Sequence, residues 1–130
     1  MMIYMFCTLV SKQNRPHIIY ENAGFMAFLD INPIESGHAI LIPKRHVSYV
    51  FDLNIDLYSK LFAKAQIIVS KLKQATKAKR IGLTIERFSI PHAHIHLVPV
   101  NKGSDLNPFR VKTVSSIALN EMKQKIIKQF

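Results

Sequence analysis

The sequence predicts an α+β fold in which an antiparallel sheet of about five strands is covered by one long helix, with a second helix at the C-terminus. Three observations predict it: short apolar segments separated by turn residues come first, a segment with helical periodicity follows at 56–79, and further short apolar segments come after it. A chain of 130 residues is long enough for one hydrophobic core, so we expect a single domain over residues 1–130.

Three strands are predicted ahead of the long helix. The predicted elements in order are a short helix over 6–11 that Pro16 ends, a strand over 17–21, a second strand over 24–30 and a third over 37–43. Residues 22–24 form a turn between the first two strands, and Asn32, Pro33 and Gly37 bracket a tight loop before the third. Almost no polar residue follows His38 in the third strand, which is typical of a strand buried on both faces.

A change of hydrophobic period marks the long helix at 56–79. Its apolar stripe comprises Leu57, Leu61, Ala65, Ile68 and Leu72. Asn54 or Asp56 is the expected N-cap, because short polar side chains accept hydrogen bonds from the first turn. Strands are expected next over 81–86 and 94–100. A last helix is expected from Ser115 or Ser116 to Lys128, with apolar residues at Ile117, Met122, Ile126 and Ile127.

Composition limits the classes of function. The single cysteine, Cys7, excludes an internal disulfide framework, and no apolar stretch is long enough to span a bilayer, so we expect a cytoplasmic protein that does not bind membranes. The net charge of +10 is concentrated in lysine clusters at 71–80 and 112–128. Aromatic residues for base stacking do not interleave with these lysines, so we interpret the clusters as solvated helix faces and expect no nucleic-acid partner. A positive field still favours the arrival of an anionic substrate.

The most informative feature is a run in which histidine occupies positions 92, 94 and 96, with Ala93, Ile95 and Leu97 at the alternate positions. In an extended strand, successive side chains point to opposite faces, so the three imidazoles are expected to share one face. Histidine changes charge near neutral pH, and such a row can bind a metal or take part in phosphoryl transfer.

Two chemistries compete for these histidines. Three imidazoles on one face match the ligand count of a catalytic zinc. However, histidines that bind a metal usually have a carboxylate or carbonyl partner, and the histidine strand contains no acidic residue. The alternative is nucleophilic: a neutral imidazole attacks a phosphoryl group and forms a phosphohistidine, while its neighbours orient it and hold phosphate oxygens.

Two motifs resemble those of the histidine triad family. Residues 92–98 fit its signature of His-x-His-x-His followed by two hydrophobic residues, and residues 25–33 with 37–46 resemble the other half of that family's site. The resemblance covers most of the chain from 5 to 100, which leaves 101–130 as a C-terminal extension. It implies a HIT-like fold, no cofactor, and a homodimer whose two sheets join across the dimer axis.

The resemblance is closest to the branch of nucleoside phosphoramidases and dinucleoside polyphosphate hydrolases. It implies that His94 is the nucleophile, attacking the α-phosphate of a purine nucleotide to form a nucleotidyl-histidine intermediate. His96 resembles the residue that contacts phosphate oxygens and assists the leaving group, whereas His92 and His38 resemble supporting members.

The resemblance also implies a nucleotide-binding pocket. Asp30 matches the acid that hydrogen-bonds the ribose hydroxyls, and Ser89 matches a residue that contacts phosphate. Four residues match the apolar positions around the base: Phe6, Leu9, Phe28 and Ile31.

The sequence departs from the family pattern in two places. The segment from Thr84 to His92 is several residues shorter than usual and lacks the customary glycines and glutamine, so Arg87 is a candidate substitute for a phosphate contact. Some bacterial members hold a structural zinc through Cys-x-x-Cys and two histidines, but here Tyr4 replaces the first cysteine and only Cys7 and His46 remain. We therefore expect no bound metal.

The leading hypothesis is an enzyme that cleaves purine nucleoside 5′-phosphoramidates or dinucleoside polyphosphates through His94. One alternative is a nucleotide-binding regulatory protein with weakened catalysis, as suggested by the shortened segment before His92. Another is a metal-dependent hydrolase that uses the same histidines.

Overall fold

The computed structural model describes residues 17–85 and 91–130. Its elements in chain order are β1 (Ile18–Glu21), β2 (Phe25–Leu29), β3 (Ala39–Pro43), α1 (Ile55–Thr76), β4 (Arg80–Thr84), β5 (Ile95–Val100) and α2 (Ser116–Ile127), with short 3-10 helices at Val50–Asp52 and Pro108–Arg110. The α+β class, the five strands and the two helices predicted from the sequence are confirmed. The short helix predicted over 6–11 lies outside the described residues.

The five strands form one antiparallel sheet in the order β1-β2-β3-β5-β4. The register aligns one residue from each strand in a row across the sheet: Ile18, Phe28, Ile40, His96 and Thr84. Residues paired across strands point to the same face, so the register fixes which side chains can meet. It places His96 on the same face as Phe28, which sequence reasoning assigned to the base pocket.

Each face of the sheet is buried. The face toward α1 carries Ala27, Leu29, Leu41, Ile95 and Leu97, which pack with Leu61, Ala65, Ile68 and Leu72 of the helix. The opposite face carries a smaller buried cluster of Met26, Phe28, Ile40 and Ile42. The prediction that the third strand is buried on both faces is therefore confirmed, since every residue of β3 is buried.

Helix α1 begins one residue before the predicted start at Asp56 and ends three residues before the predicted end at Lys79. The Asn54 side chain accepts a hydrogen bond of 2.8 Å from the Leu57 amide and caps the helix. The predicted end at Lys79 is wrong, because Lys77 adopts a left-handed conformation with φ of 60° and the helix stops at Thr76. In the described part of the chain, no helix has the length and hydropathy needed to cross a bilayer.

The C-terminal helix α2 lies where the sequence predicts it, and only some of the apolar residues that indicated it are buried. Ser115 caps it by accepting a hydrogen bond from the Ala118 amide. Leu119 and Ile126 are its buried residues, whereas Ile117 is 71% exposed. Ile117 lies on the exposed face because a packed helix face recurs at three or four positions and Ile117 is out of phase with Ile126.

The loop between β2 and β3 returns the chain through a close approach at Gly37. This residue has φ of +93°, a conformation that side chains with a Cβ rarely adopt. A Cβ at this position would lie 2.6 Å from Cγ2 of Thr76 and 3.2 Å from Cγ of Pro99. Glycine here therefore allows the loop to pack against α1 and β5, and it sets the position of the next residue, His38.

Candidate active site

The fold brings together Asp30, His38, His94 and His96. Asp30 directly follows β2 and His38 directly precedes β3, and the amide of Asp30 donates a 3.0 Å hydrogen bond to the carbonyl of His38. The Oδ2 atom of Asp30 lies 3.6 Å from Nε2 of His38 and 4.0 Å from Nδ1 of His96. The ring centroids of His94 and His96 are 5.0 Å apart. Residues from three separate segments thus form one cluster.

The hydrogen bonds of His38 assign its tautomer. The amide of Ile34 donates to Nδ1 of His38 across 3.0 Å, so Nδ1 carries the lone pair and Nε2 carries the hydrogen. Nε2 lies 2.9 Å from Nδ1 of His96 and donates to it. His96 is therefore an acceptor at Nδ1, and its own ring hydrogen is at Nε2.

Burial keeps both of these histidines neutral. It lowers the pKa of His38 to about 4. Burial is also the main reason that the pKa of His96 falls to about 4, with smaller contributions from His38 and His94, while the Asp30 carboxylate acts in the opposite sense. The hydrogen-bonded chain therefore consists of uncharged imidazoles at pH 7.

His94 is oriented by the main chain. The ring is buried, and its Nδ1–H donates a 2.6 Å hydrogen bond to the carbonyl of His92. In a neutral imidazole with hydrogen on Nδ1, the lone pair lies on Nε2. Nε2 is therefore the nucleophilic atom of this ring, which is the arrangement that attack on phosphorus requires.

His92 lies apart from the other two members of the run. Its Nε2–H donates a 2.9 Å hydrogen bond to the carbonyl of Pro43, and its Nδ1 lies 3.4 Å from Nδ1 of His46. Burial is the largest of several causes that lower the pKa of His92. The strand β5 begins only at Ile95, so the expectation that one strand carries all three imidazoles is wrong.

Asp30 offers a carboxylate at the edge of the cluster. Oδ1 accepts a 2.9 Å hydrogen bond from the amide of Asn32, which fixes the side chain at the start of the loop. Burial raises the pKa of Asp30, and the Asn32 hydrogen bond and the two neighbouring imidazoles, His96 and His94, act against that rise. A fixed carboxylate in this position is a hydrogen-bond acceptor for hydroxyl groups of a ligand.

The donor atoms of Asp30, His38 and His96 all lie within 4.8 Å of one another, which is compatible in distance with a shared metal ion. The hydrogen bond from the Ile34 amide to Nδ1 of His38 opposes this role. Because Nδ1 accepts a hydrogen bond, the single N–H of the neutral ring is at Nε2, and a metal on Nε2 would require the loss of this hydrogen to give an imidazolate anion. The cluster is therefore better suited to hydrogen bonding among neutral imidazoles than to a metal.

The remaining predicted site residues divide into two groups. Phe28 is buried in the row that contains His96, and Ile31 is 57% exposed immediately after Asp30. The others lie outside the described residues, namely Phe6, Leu9, Ser89, Arg87 and Cys7. The expected absence of a structural zinc stays a prediction, since it depends on Cys7.

Sequence reasoning missed two side-chain interactions at this site. His46 contacts His92, although its candidate role was as a zinc ligand. Arg110 donates a 2.8 Å hydrogen bond to Oε2 of Glu35, which lies on the loop between Asp30 and His38. The two residues are 75 positions apart, and no local pattern in the sequence predicts their contact.

Comparisons with known proteins bear on the family and the fold. A family model described as "HIT domain" matches residues 11–103. An uncharacterised HIT-like protein from Mycobacterium tuberculosis is 30% identical over 109 residues, which cover 79% of this chain and 75% of that protein. An adenosine 5′-monophosphoramidase from Danio rerio is 31% identical over 100 residues, covering 72% of this chain and 62% of that protein. The crystal structure of a hypothetical histidine triad nucleotide-binding protein from Sulfolobus tokodaii has a TM-score of 0.83 at 25% identity, covering 95% of this chain and 89% of that one.

Proposed function

The chain belongs to the HIT domain family, and from this premise we propose that it is an enzyme that cleaves a purine nucleoside 5′-phosphoramidate or a dinucleoside polyphosphate. Support comes from a relative named as an adenosine 5′-monophosphoramidase and from another, in Arabidopsis thaliana, named as an adenylylsulfatase. The substrates of these two relatives share an adenosine 5′-phosphoryl group joined to a leaving group.

The observation that carries the proposal is the hydrogen bond from Nδ1 of His94 to the carbonyl of His92. It leaves the lone pair on Nε2, which attacks the α-phosphorus while the bond from phosphorus to the leaving group breaks. The products of this step are a nucleotidyl-histidine and the leaving group; a phosphate leaves as its anion, whereas an amine takes up one proton from water as it leaves. A water molecule then attacks the same phosphorus, gives up one proton and breaks the bond from phosphorus to Nε2, which releases the nucleoside monophosphate and restores neutral His94.

His96 and His38 assist this reaction through the hydrogen bond that joins them. His96 carries its hydrogen on Nε2, and this N–H is the donor we assign to the phosphate oxygens or the leaving group. His38 fixes that tautomer by donating to Nδ1 of His96. We assign His92 a supporting role through its carbonyl, which orients His94.

The nucleotide pocket extends from the triad toward the β2–β3 loop. Asp30 lies beside His96 and is the proposed acceptor for the ribose hydroxyls. Phe28 shares the sheet face of His96, and we assign it to the base pocket together with Ile31. Phe6, Leu9 and Ser89 complete the proposed pocket by resemblance to the family, as does the homodimeric assembly.

The dimer would form along β4. This strand lies at one end of the sheet and pairs with β5 alone among the described strands, and we assign its outer edge to pairing with a second chain. Leu83, the fourth of the five residues of β4, is 40% exposed. An exposed apolar residue on a sheet edge favours pairing with an identical strand.

A fluorogenic adenosine phosphoramidate tests the function directly. The wild-type protein is expected to cleave it, and His94→Ala is expected to lose turnover while AMP binding, measured by calorimetry, stays within about threefold, because only the attacking atom is removed. Lys60→Gln, which changes an exposed residue of α1, is the matched control with unchanged turnover. Full activity of His94→Ala contradicts the mechanism, and a wild-type protein that binds AMP without turnover assigns a binding function instead.

A further inference from the structure

The loop that joins β2 to β3 carries two of the proposed functional residues, Asp30 and His38, and is organised by its own hydrogen bonds. Besides the contacts of Asp30 and His38 already described, the amide of His38 donates a 3.0 Å hydrogen bond to the carbonyl of Glu35. The packing at Gly37 and the hydrogen bond from His38 to His96 hold one end of this loop to α1 and β5. The part that contains Pro33 and Glu35 is held by contacts with the segment 105–112, hereafter the tail segment.

The tail segment contacts the loop through one main-chain hydrogen bond and two side-chain ion pairs. The amide of Lys112 donates a 2.9 Å hydrogen bond to the carbonyl of Pro33. Nη2 of Arg110 lies 2.8 Å from Oε2 of Glu35, and Nζ of Lys112 lies 3.3 Å from Oε1 of the same carboxylate. Glu35 therefore receives two cations from the tail segment, and both of its oxygens are used.

Arg110 also binds Asp105, which follows the end of β5. Nη1 donates a 3.0 Å hydrogen bond to the carbonyl of Asp105 and lies 3.2 Å from its Oδ1. The Asp105 carboxylate is buried and also accepts hydrogen bonds from the amides of Asn101 and Lys102, directly after β5. The first of these hydrogen bonds is the main cause of the lowered pKa of Asp105, so the carboxylate is ionised.

Arg110 thus connects the strand that bears His96 to the loop that bears Asp30 and His38. A guanidinium group has donors in a fixed planar arrangement and can engage two carboxylates at once, which a lysine ammonium does less well. A connected set of partly buried charges restricts geometry more than an isolated surface pair does.

We propose that Arg110 is a positioning residue for ribose recognition: through Glu35 it sets the distance between the Asp30 carboxylate and the histidine cluster. The proposal rests on the proposed function, in which Asp30 receives the ribose hydroxyls. Arg110 itself does not touch the nucleotide. Its removal should therefore weaken the ribose contact without removing any group that contacts the substrate.

Binding of AMP and of 2′,3′-dideoxy-AMP, which lacks both ribose hydroxyls, is measured by calorimetry and tests this role. Arg110→Gln is expected to weaken AMP binding about tenfold, as when a hydrogen bond to a charged group is loosened, and to change 2′,3′-dideoxy-AMP binding by less than about twofold. Arg110→Lys should recover part of the loss. In the Asp30→Ala background, Arg110→Gln should have no further effect on AMP, because the coupling passes through Asp30.

Lys60→Gln is the matched control, since Lys60 forms an exposed ion pair with Asp56 on α1 and its replacement is expected to change neither affinity. Thermal unfolding of each variant verifies that it is folded. Equal losses for both nucleotides, or a loss that persists in the Asp30→Ala background, overturn this inference and leave the proposed function standing. A wild-type protein that binds neither nucleotide overturns the proposed function and this inference together.

Discussion

His38 donates its Nε2 hydrogen to Nδ1 of His96 across 2.9 Å, although the two residues are 58 positions apart in the sequence. The direction of this bond follows from the Ile34 amide, which occupies the other nitrogen of His38. One main-chain hydrogen bond in the β2–β3 loop therefore determines which nitrogen of His96 presents a hydrogen. The catalytic use proposed for His96 depends on that assignment.

Replacement of His38 by Phe should lower kcat about 100-fold, the lower end of what a positioned proton-transfer group contributes, with KM for the phosphoramidate changed by less than about threefold. Phe keeps an aromatic ring but has no hydrogen to donate, so His96 is free to adopt either tautomer. Steady-state kinetics measures the effect.

His38→Gln is the matched variant, because its amide N–H can donate to Nδ1 of His96. It should retain more activity than His38→Phe at similar thermal stability. Equal kcat in the wild type and His38→Phe would show that the tautomer of His96 is not controlled by His38.

The free energy of unfolding should decrease as the pH is lowered from 6.5 toward 4. The pKa values of His38 and His96 are about 4 in the folded protein against an ordinary value of 6.5, so the unfolded chain binds more protons throughout that interval. A shift of this size in one group corresponds to about 3 kcal/mol, and the hydrogen-bonded pair contributes less than twice that amount. Urea unfolding at a series of pH values measures the slope.

Two other groups near the pair affect this pH dependence. His92 acts in the same sense, since its pKa is also lowered. Asp30 acts in the opposite sense at pH values above 3.8, which is its ordinary pKa. Its pKa is raised in the folded protein, so the folded state binds more protons there than the unfolded chain does. His38→Phe removes one titrating imidazole and should give a shallower slope; an unchanged slope would mean that His38 does not contribute.

The periodicity of the sequence was sufficient to predict the strands and helices, because hydrophobic spacing is local information. It also identified Asn54 as a candidate cap of α1, since the capping hydrogen bond joins residues three apart. The end of α1 was misplaced because a left-handed Lys77 has no distinctive side-chain signal. Contacts across the fold, such as Arg110 with Glu35, depend on sheet order and loop packing, which the alternation of residue types does not encode.

The difference between local sequence patterns and contacts across the fold also explains what could be predicted about the candidate site. The histidine run and the Asp30–His38 segment each have a recognisable pattern, so the residues that form the cluster could be named. Their geometry could not be deduced, because His92 and His94 precede β5 and take their orientation from the Pro43 and His92 carbonyls. The alternation of side-chain directions predicts which face a residue occupies only for residues that lie within the strand.

Gly37→Ala should lower the free energy of unfolding by about 2 kcal/mol, since the new Cβ would approach Thr76 and Pro99 in a backbone conformation that glycine favours. Urea unfolding at pH 7 measures the loss. Gly103→Ala is the control, because no atom of the described residues lies within 4 Å of a Cβ built at that position. Equal stability of the Gly37 variant and the wild type would show that the loop accommodates the methyl group by moving.

Leu83→Lys should convert the proposed homodimer to a monomer of 14.9 kDa, measured by light scattering on a sizing column. A lysine on an exposed edge strand places a charge where an identical strand would pair, and two such charges would oppose each other across the dimer axis. Ile117→Lys is the matched control, because Ile117 is 71% exposed on α2, away from the β4 edge, and its change should leave the dimer intact. A wild-type protein that elutes as a monomer, or a Leu83 variant that remains dimeric, would show that β4 is not the interface.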